Sequence, residues 1–429
     1  MTIVKRRIFN SYIRRINRKR ITSVDILYLI ISIRLAPENY LRFVQSDKYE
    51  ATFGGAEANV AVSLANYGVD AAFVSKLPAH EIGQAAVNSL RKFGVDTSKI
   101  VRGGARVGIY YCEKGASQRP SKVIYDRAGS AIATASANDF DWDKIFDGVT
   151  WFHFTGITPA LSDECAAITL EACKKAKEKG ITISCDLNFR KKLWSKEKAG
   201  EIMSKVCLYV DYCIANEEDA KDVFGIEADN TDINTGKLDR NGYISVAKKL
   251  TEKFNFKGVA ITLRESLSAN DNNWSGMLYT NGEANFSKKY AMHIVDRVGG
   301  GDSFGGGLIY SLLNGYDAQK AIEFAVAASC LKHSVEGDYN ISNRITKLRS
   351  DRKKKFAEAE NDEINILKEL DETITDYAPN GKFDEELFEN IVEKVIPQSN
   401  EIIIFRLIGG VELVETIKEK GRCGSNEMS

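Results

Sequence analysis

The stretch "IVDRVGGGDSFGGGLIYSLLNGY", Ile294 to Tyr316, sets three glycines and one acid between a strand-like apolar run and a segment of helical spacing. A helix N-terminus presents backbone N–H groups without helical partners, and these groups together with the helix dipole attract an anion. Gly299, Gly300 and Gly301 have no side chains to block that approach. Asp302 follows in the first turn, where the dipole favours its charged, proton-accepting form. An anion cradle beside a base suits phosphoryl transfer. The same residues also read as a flexible turn with Asp302 as an ordinary N-cap, so other parts of the chain must discriminate.

Three further clusters are candidates. "FGGAEANVAVSLANYG" puts Gly54 and Gly55 immediately before a helix that carries Asn59, which allows close backbone approach beside one polar side chain. "SCDLNFRKKLW" ends an apolar run on Asp186, Asn188 and Arg190, and "CIANEEDAKDVFGI" ends the next on Asn216, Glu217, Glu218 and Asp219. Acids there could hold hydrated Mg²⁺, which takes a few carboxylates and keeps several waters. Each cluster also has a plainer reading as a turn, an exposed loop or helix N-terminal acids. Their succession at strand ends is the stronger signal.

The elements that must position these residues alternate. "AAFVSKL", "TWFHFTG", "ITISCDL", "YVDYCIA" and "GVAITL" are short apolar runs separated by helical segments such as "DECAAITLEACKKAKEKG" and "RNGYISVAKKLTEKF". That pattern predicts an α/β fold with a doubly wound, mainly parallel sheet and helices on both faces. "YLRFVQSDKYEATFGG" and "RVGIYYCEKGASQRPSKVIYD" have strand-like alternation without an intervening helix, which predicts a small antiparallel flap over residues 38–54 and 105–127. A flap beyond the carboxyl ends of the strands would cover a ligand and exclude water.

Organisation divides into three parts: a basic extension over residues 1–23, the α/β domain over 24–343, and an appendage over 344–429. The extension, "VKRRIFNSYIRRINRKR", reads as a targeting peptide, a nucleic-acid arm or a solvated segment. In the appendage, "NRITKLRSDRKKKFAEAENDEINILKELDETI" predicts a long charged helix and "FDEELFENIVEKVI" a shorter amphipathic one. "NEIIIFRLIGGVELVETI" predicts a hairpin turning at Gly409 and Gly410. The chain's 59 basic and 59 acidic residues balance, so composition demands neither nucleic acid nor a membrane surface. The run "ILYLIISI" falls far short of the roughly 20 residues that span a bilayer. Eight cysteines without a C-x-x-C pair give no disulfide or zinc spacing, and reduced thiols in a cytoplasm are expected.

In order, "FGGAEANVA", "NEED" and "DRVGGGDSF" resemble the signatures of the ribokinase-like, PfkB-type sugar kinases. Within that group, "GASQRPSKVIYDRAGSA", "TGITPALS", "DLNFRKKLWS" and "ITLRES" are similar to the 2-keto-3-deoxygluconate kinases, from about Arg34 to Asn343. The resemblance implies ATP and Mg²⁺ as cofactors, Asp302 as the base, and the glycines 299–301 as the anion hole. It implies that Gly55 and Asn59 contact the sugar acid from the main domain, and that Tyr110, Tyr125 and Arg127 do so from the flap. Asp338 would hold another substrate hydroxyl. Arg190 would sit between substrate and nucleotide phosphates, with Arg264 and Ser266 lining the ATP site. Asn216 and Asp219 fall on the family's Asn-x-x-Glu motif, which acts on Mg²⁺ through water; here the acid is one methylene shorter.

Leu29 and Ile30 stand where the family carries a Gly-Glu pair, and Gly305 and Gly306 lie inside the helix after the base, where each costs about 1 kcal/mol relative to alanine. The tail resembles the C-terminal helix and hairpin of large serine recombinases, without their catalytic domain. The readings are thus a kinase for 2-keto-3-deoxygluconate, a kinase for another sugar such as fructose, or a kinase fold kept as a binding module. A homo-oligomer through the flap is expected, because paired strand edges are safer than free ones.

Overall fold

The computed structural model describes residues 24–28, 30–216, 218–228, 240–341, 392–397, 402–407 and 412–416. It divides into two compact units, Met1–Arg344 and Ile345–Ser429. The basic segment 1–23, Leu29, the whole of the expected long charged helix, and residues 383–391 of the expected amphipathic one lie outside the described residues.

In the first unit the chain runs through β1 (Val24–Tyr28), β2 (Ser32–Ala36), β3 (Glu50–Gly54), α1 (Ala56–Tyr67), β4 (Asp70–Leu77), α2 (Glu81–Arg91), β5 (Ile100–Arg102), β6 (Gly108–Glu113) and β7 (Lys122–Asp126). It continues through β8 (Val149–Thr155), α3 (Asp163–Glu178), β9 (Thr182–Asp186), α4 (Lys196–Val206), β10 (Tyr212–Asn216), α5 (Asp219–Phe224) and α6 (Arg240–Phe254). The last elements are β11 (Gly258–Ser266), β12 (Asp271–Thr280), β13 (Glu283–Phe286), β14 (Tyr290–His293), α7 (Gly300–Leu313) and α8 (Ala318–His333).

The apolar runs become strands because they are buried on both faces. Phe152 and Phe154 of β8, Ile183 and Cys185 of β9, and Val259 and Ile261 of β11 join one apolar cluster, while Phe73 of β4 and Leu64 of α1 join another. Among the described residues, the large sheet has the order β13-β12-β11-β10-β9-β8-β1-β4-β5, with β14 also paired to β12. Pairing is parallel from β11 across to β5 and antiparallel only around β12. Register aligns Thr155 with Asp186 and Asn216 with Thr262, so the carboxyl ends of these strands reach one edge together. Open parallel sheets hold their ligands at that edge.

The flap is a second sheet of order β3-β2-β6-β7. It differs from the expected antiparallel sheet in two respects. Its central pair, β2 with β6, runs parallel, and residues 40–49 form a loop with one 3₁₀ turn, Phe43–Gln45, rather than a strand. The cause is "SIRLA", whose residues alternate between buried and half-buried and which pairs antiparallel with β3. The chain therefore leaves the central strand β1 and enters the flap within three residues. Gly55 makes the crossing possible: a Cβ there would overlap the Ile30 carbonyl oxygen.

In the second unit, β15 (Val392–Pro397), β16 (Ile402–Leu407) and β17 (Glu412–Thr416) form an antiparallel sheet in that order. The strands of the expected hairpin, β16 and β17, pair as anticipated. The end of the expected amphipathic helix is instead strand β15. Over so short a run apolar spacing does not separate helix from strand, and pairing with Ile403–Leu407 decides it.

Candidate active site

Three glycines begin α7, and each has a different reason. Gly299 caps the helix in the left-handed conformation, at φ 80°, which side chains adopt at a cost, and a Cβ there would overlap the Asp338 carbonyl oxygen. Gly300 is seated on the His333 ring of α8, which a Cβ would also overlap. Gly301 faces open space. Helix geometry leaves the first N–H groups of this turn without intrahelical partners; that of Gly300 donates to the Arg297 carbonyl at 3.3 Å, and Gly299, Gly301 and Asp302 line a cleft of roughly 350 Å³. The later glycines have packing roles. A Cβ on Gly306 would stand 2.9 Å from the Ser63 Cβ, and one on Gly307 would stand 3.0 Å from the Ala325 Cα, so these residues let α1 and α8 pack closely against α7. Close packing offsets their low helix propensity.

Asp302 lies partly buried at the cleft floor. Asn59 Nδ2 donates to its Oδ2 at 2.6 Å, and Asn59 Oδ1 in turn accepts from the Gly55 N–H at 3.3 Å. Burial raises its pKa to about 6 from an ordinary 3.8; Asp338 adds to the rise, while Asn59, Arg190 and Lys332 oppose it. A carboxylate with a pKa just below neutrality is ionised at pH 7 yet basic enough to take a proton. Glu57, in the first turn of α1, is buried and raised to about 8 by desolvation; its Oε1 accepts from the Thr155 N–H at 2.6 Å.

The flap contributes Tyr110, Tyr125 and Arg127 to the same cleft. The Arg127 guanidinium stacks 4.3 Å from the centre of the Tyr125 ring, and its Nε and Nη1 are buried without a hydrogen-bond partner among the described residues. Burial lowers its pKa, and Tyr125 and Tyr110 oppose the shift. A planar cation with open donors matches a carboxylate, whose two oxygens it can bond at once.

Asp338 also lines the cleft, but its carboxylate is already engaged. Arg34 Nη1 donates to one oxygen at 2.9 Å and the Tyr110 hydroxyl donates to the other. Arg34 also pairs with Asp296 at 2.7 Å, so one buried guanidinium ties flap strand β2 to the segments on either side of the glycine turn. Nothing in the sequence marked Arg34, a lone basic residue in an alternating strand. Asp186, a candidate from its place at a strand end, lines the cleft too, as does Arg297, which the sequence had not singled out. Asp186 ends β9 with its pKa pushed up by burial and by neighbouring Asp219 and Asp302.

Arg190 and Arg264 line the cleft at the ends of β9 and β11, while Ser266, two residues beyond Arg264, is exposed and outside the cleft lining. Asn216 and Asp219 are adjacent at the end of β10. Asp219 accepts from the N–H groups of Phe189 at 3.1 Å and Asn216 at 3.0 Å, and Asn216 Oδ1 accepts from those of Glu218 and Asp219. Carboxylate oxygens are the hard ligands that suit the water shell of a hydrated cation. The described residues contain no cluster of three or more His, Cys, Asp or Glu side chains able to bind a metal directly. The oxygen donors of Asn216 and Asp219, both lining the cleft, fit Mg²⁺ held through water. The described residues also contain no helix long and apolar enough to cross a membrane.

The chain is similar to several known proteins. A crystal structure of 2-dehydro-3-deoxygluconokinase from Thermotoga maritima is 53% identical, with a TM-score of 0.72, over 76% of this chain and 99% of that one. A 2-dehydro-3-deoxygalactonokinase from Haloferax volcanii is 33% identical over 71% of this chain and 89% of its own length. A 2-dehydro-3-deoxygluconokinase from Thermoproteus tenax is 28% identical over 72% and 87%. The sequence profile of the pfkB family carbohydrate kinases matches residues 19–345. With its doubly wound sheet, its flap and a glycine turn ending in an acid, the chain belongs to the PfkB family of carbohydrate kinases.

Proposed function

We propose that the protein transfers the γ-phosphoryl group of ATP to the terminal hydroxyl of a 2-keto-3-deoxy sugar acid, with 2-keto-3-deoxy-D-gluconate as substrate and its 6-phosphate as product. The observation that carries this reading is the Arg127 guanidinium, buried with open donors in the cleft that Asp302 lines. A neutral sugar would leave that cation without a partner, and an unpaired buried charge is costly. The names of the relatives above support the same substrate class.

In this reading Asp302 takes the proton of the terminal hydroxyl, whose oxygen bonds to the γ-phosphorus as the bond from phosphorus to the ADP oxygen breaks. The N–H groups of Gly299, Gly300 and Gly301 receive the charge on the transferring group. Gly55 and Asn59 hold the sugar from the main domain and Tyr110, Tyr125 and Arg127 from the flap. Asp338, held by Arg34, takes a further hydroxyl with its remaining acceptor capacity. Arg190 lies between sugar and phosphates, with Arg264 and Ser266 toward the nucleotide. Asn216 and Asp219 would hold Mg²⁺ through its water shell, and the ion when bound would neutralise phosphate charge. Two copies are proposed to pair through the flap, whose Tyr40, Leu41, Val44, Tyr49 and Ile124 are exposed apolar or aromatic side chains.

Steady-state ADP release with the gluconate and galactonate epimers, fructose and ribose tests the substrate class. The sugar acids are expected to lead. Fructose or ribose in first place would overturn the assignment.

A further inference from the structure

Lys332, in the last turn of α8, is among the largest side chains with no solvent exposure. Its Nζ donates to two backbone carbonyls, Asp296 at 3.0 Å and Val335 at 3.4 Å. Asp296 opens the segment that becomes the glycine turn, and Val335 opens the segment that ends on Asp338. The two segments meet again at the cleft, where only the missing side chain of Gly299 allows the Asp338 carbonyl so close. One ammonium therefore sits beneath a seam whose upper edge is the anion-binding turn.

The rest of that helix turn seats the same segment. Ser329 Oγ donates to the Gly300 carbonyl at 2.7 Å, and the His333 carbonyl accepts from the N–H groups of Val295 at 2.9 Å and Asp296 at 3.3 Å. These contacts are neutral. Lys332 adds a cation beside Asp296, Asp338 and Asp302, opposite the single guanidinium of Arg34. Burial lowers its pKa, and the three acids oppose that shift.

We infer that Lys332 is a positioning residue for phosphoryl transfer: its ammonium serves as a built-in monovalent cation that locks the glycine turn to the Asp338 segment. The inference rests on the reading of the glycine turn as the anion hole. Carbonyl oxygens that bind an ammonium can equally replace the hydration shell of a potassium ion. Removal of the side chain would leave an oxygen-lined void that such an ion fits.

The test uses the full chain with Lys332→Ala and Lys332→Met, assayed with tetramethylammonium as the background cation and ammonium or potassium chloride added at constant ionic strength. The parent is expected to ignore the exchange. Lys332→Ala is expected to lose on the order of 10²-fold in kcat, as a misplaced site does, with KM for the sugar acid changed only a few-fold. Ammonium and potassium should restore kcat saturably and raise the melting temperature of Lys332→Ala alone. Lys332→Met, whose side chain fills the void, should stay low in every salt. The melting readout needs no turnover, so it holds even if the substrate assignment fails. A Lys332→Ala enzyme within threefold of the parent in tetramethylammonium would overturn the inference, as would a loss that neither cation relieves. If neither variant folds, the parent decides: a requirement for added potassium or ammonium refutes a built-in cation, and indifference supports it.

Discussion

Asn59 binds one oxygen of Asp302, and the other carries no hydrogen bond among the described residues, so the carboxylate is held on one side and open on the cleft side. Asp302→Asn keeps the shape and removes the proton acceptor. Turnover is expected to fall by about 10²- to 10⁴-fold, the usual loss with a general base, while ATP binding by calorimetry persists. Because burial raises the Asp302 pKa to about 6, its basic form is lost as pH falls through that value. The profile of kcat/KM should therefore fall about tenfold per pH unit below pH 6; a flat profile down to pH 4.5 would assign the proton elsewhere. Arg127→Ala should cost the sugar acid far more kcat/KM than it costs a neutral sugar, and equal losses would make the arginine a structural residue. At this scale the sequence disclosed the acid and the glycines because their spacing is itself a signal. It did not disclose Arg34, whose partner Asp338 lies 304 positions away and whose own neighbours form no motif.

At the scale of elements, the start of α7 separates stability from catalysis within two adjacent residues. Gly300→Ala drives a methyl group into the His333 ring, so a lower melting temperature is expected, with a cost of about 1–3 kcal/mol for overpacking. Gly301→Ala meets open space, so its melting temperature should hold while the methyl crowds the cleft and lowers kcat/KM. The reverse pattern, measured by thermal melts and kinetics on both variants, would contradict the assignment of the turn. The strands β4, β8, β9, β10 and β11 were legible because doubly buried parallel strands are continuous apolar runs. The crossing from β1 to β2 was not, since "LYLII" passes into "SIRLA" with no glycine or proline between them, and the approach of Gly55 to Ile30 is what marks the break. The strand β15 was missed because "VEKVI" also fits one face of a helix.

For the molecule as a whole, the family match ends at residue 345 and the first compact unit at Arg344. A chain ending at Ser350 is expected to stay soluble, to melt within a few degrees of the full chain and to retain kinase activity. Precipitation, or loss of ATP binding, would make the second unit a working part of the kinase. Light scattering at micromolar concentration should find a dimer if the exposed apolar side chains of the flap pair, and a strict monomer would refute that pairing. The measurement closest to the central claim is kcat/KM with 2-keto-3-deoxygluconate against fructose in the parent and in Arg127→Ala. A charge-assisted hydrogen-bonded contact of about 1.5–3 kcal/mol sets a preference for the acid of roughly ten- to a hundredfold or more in the parent, collapsing in the variant. A parent that phosphorylates fructose as well as the sugar acid, or a preference that survives the loss of Arg127, would contradict it.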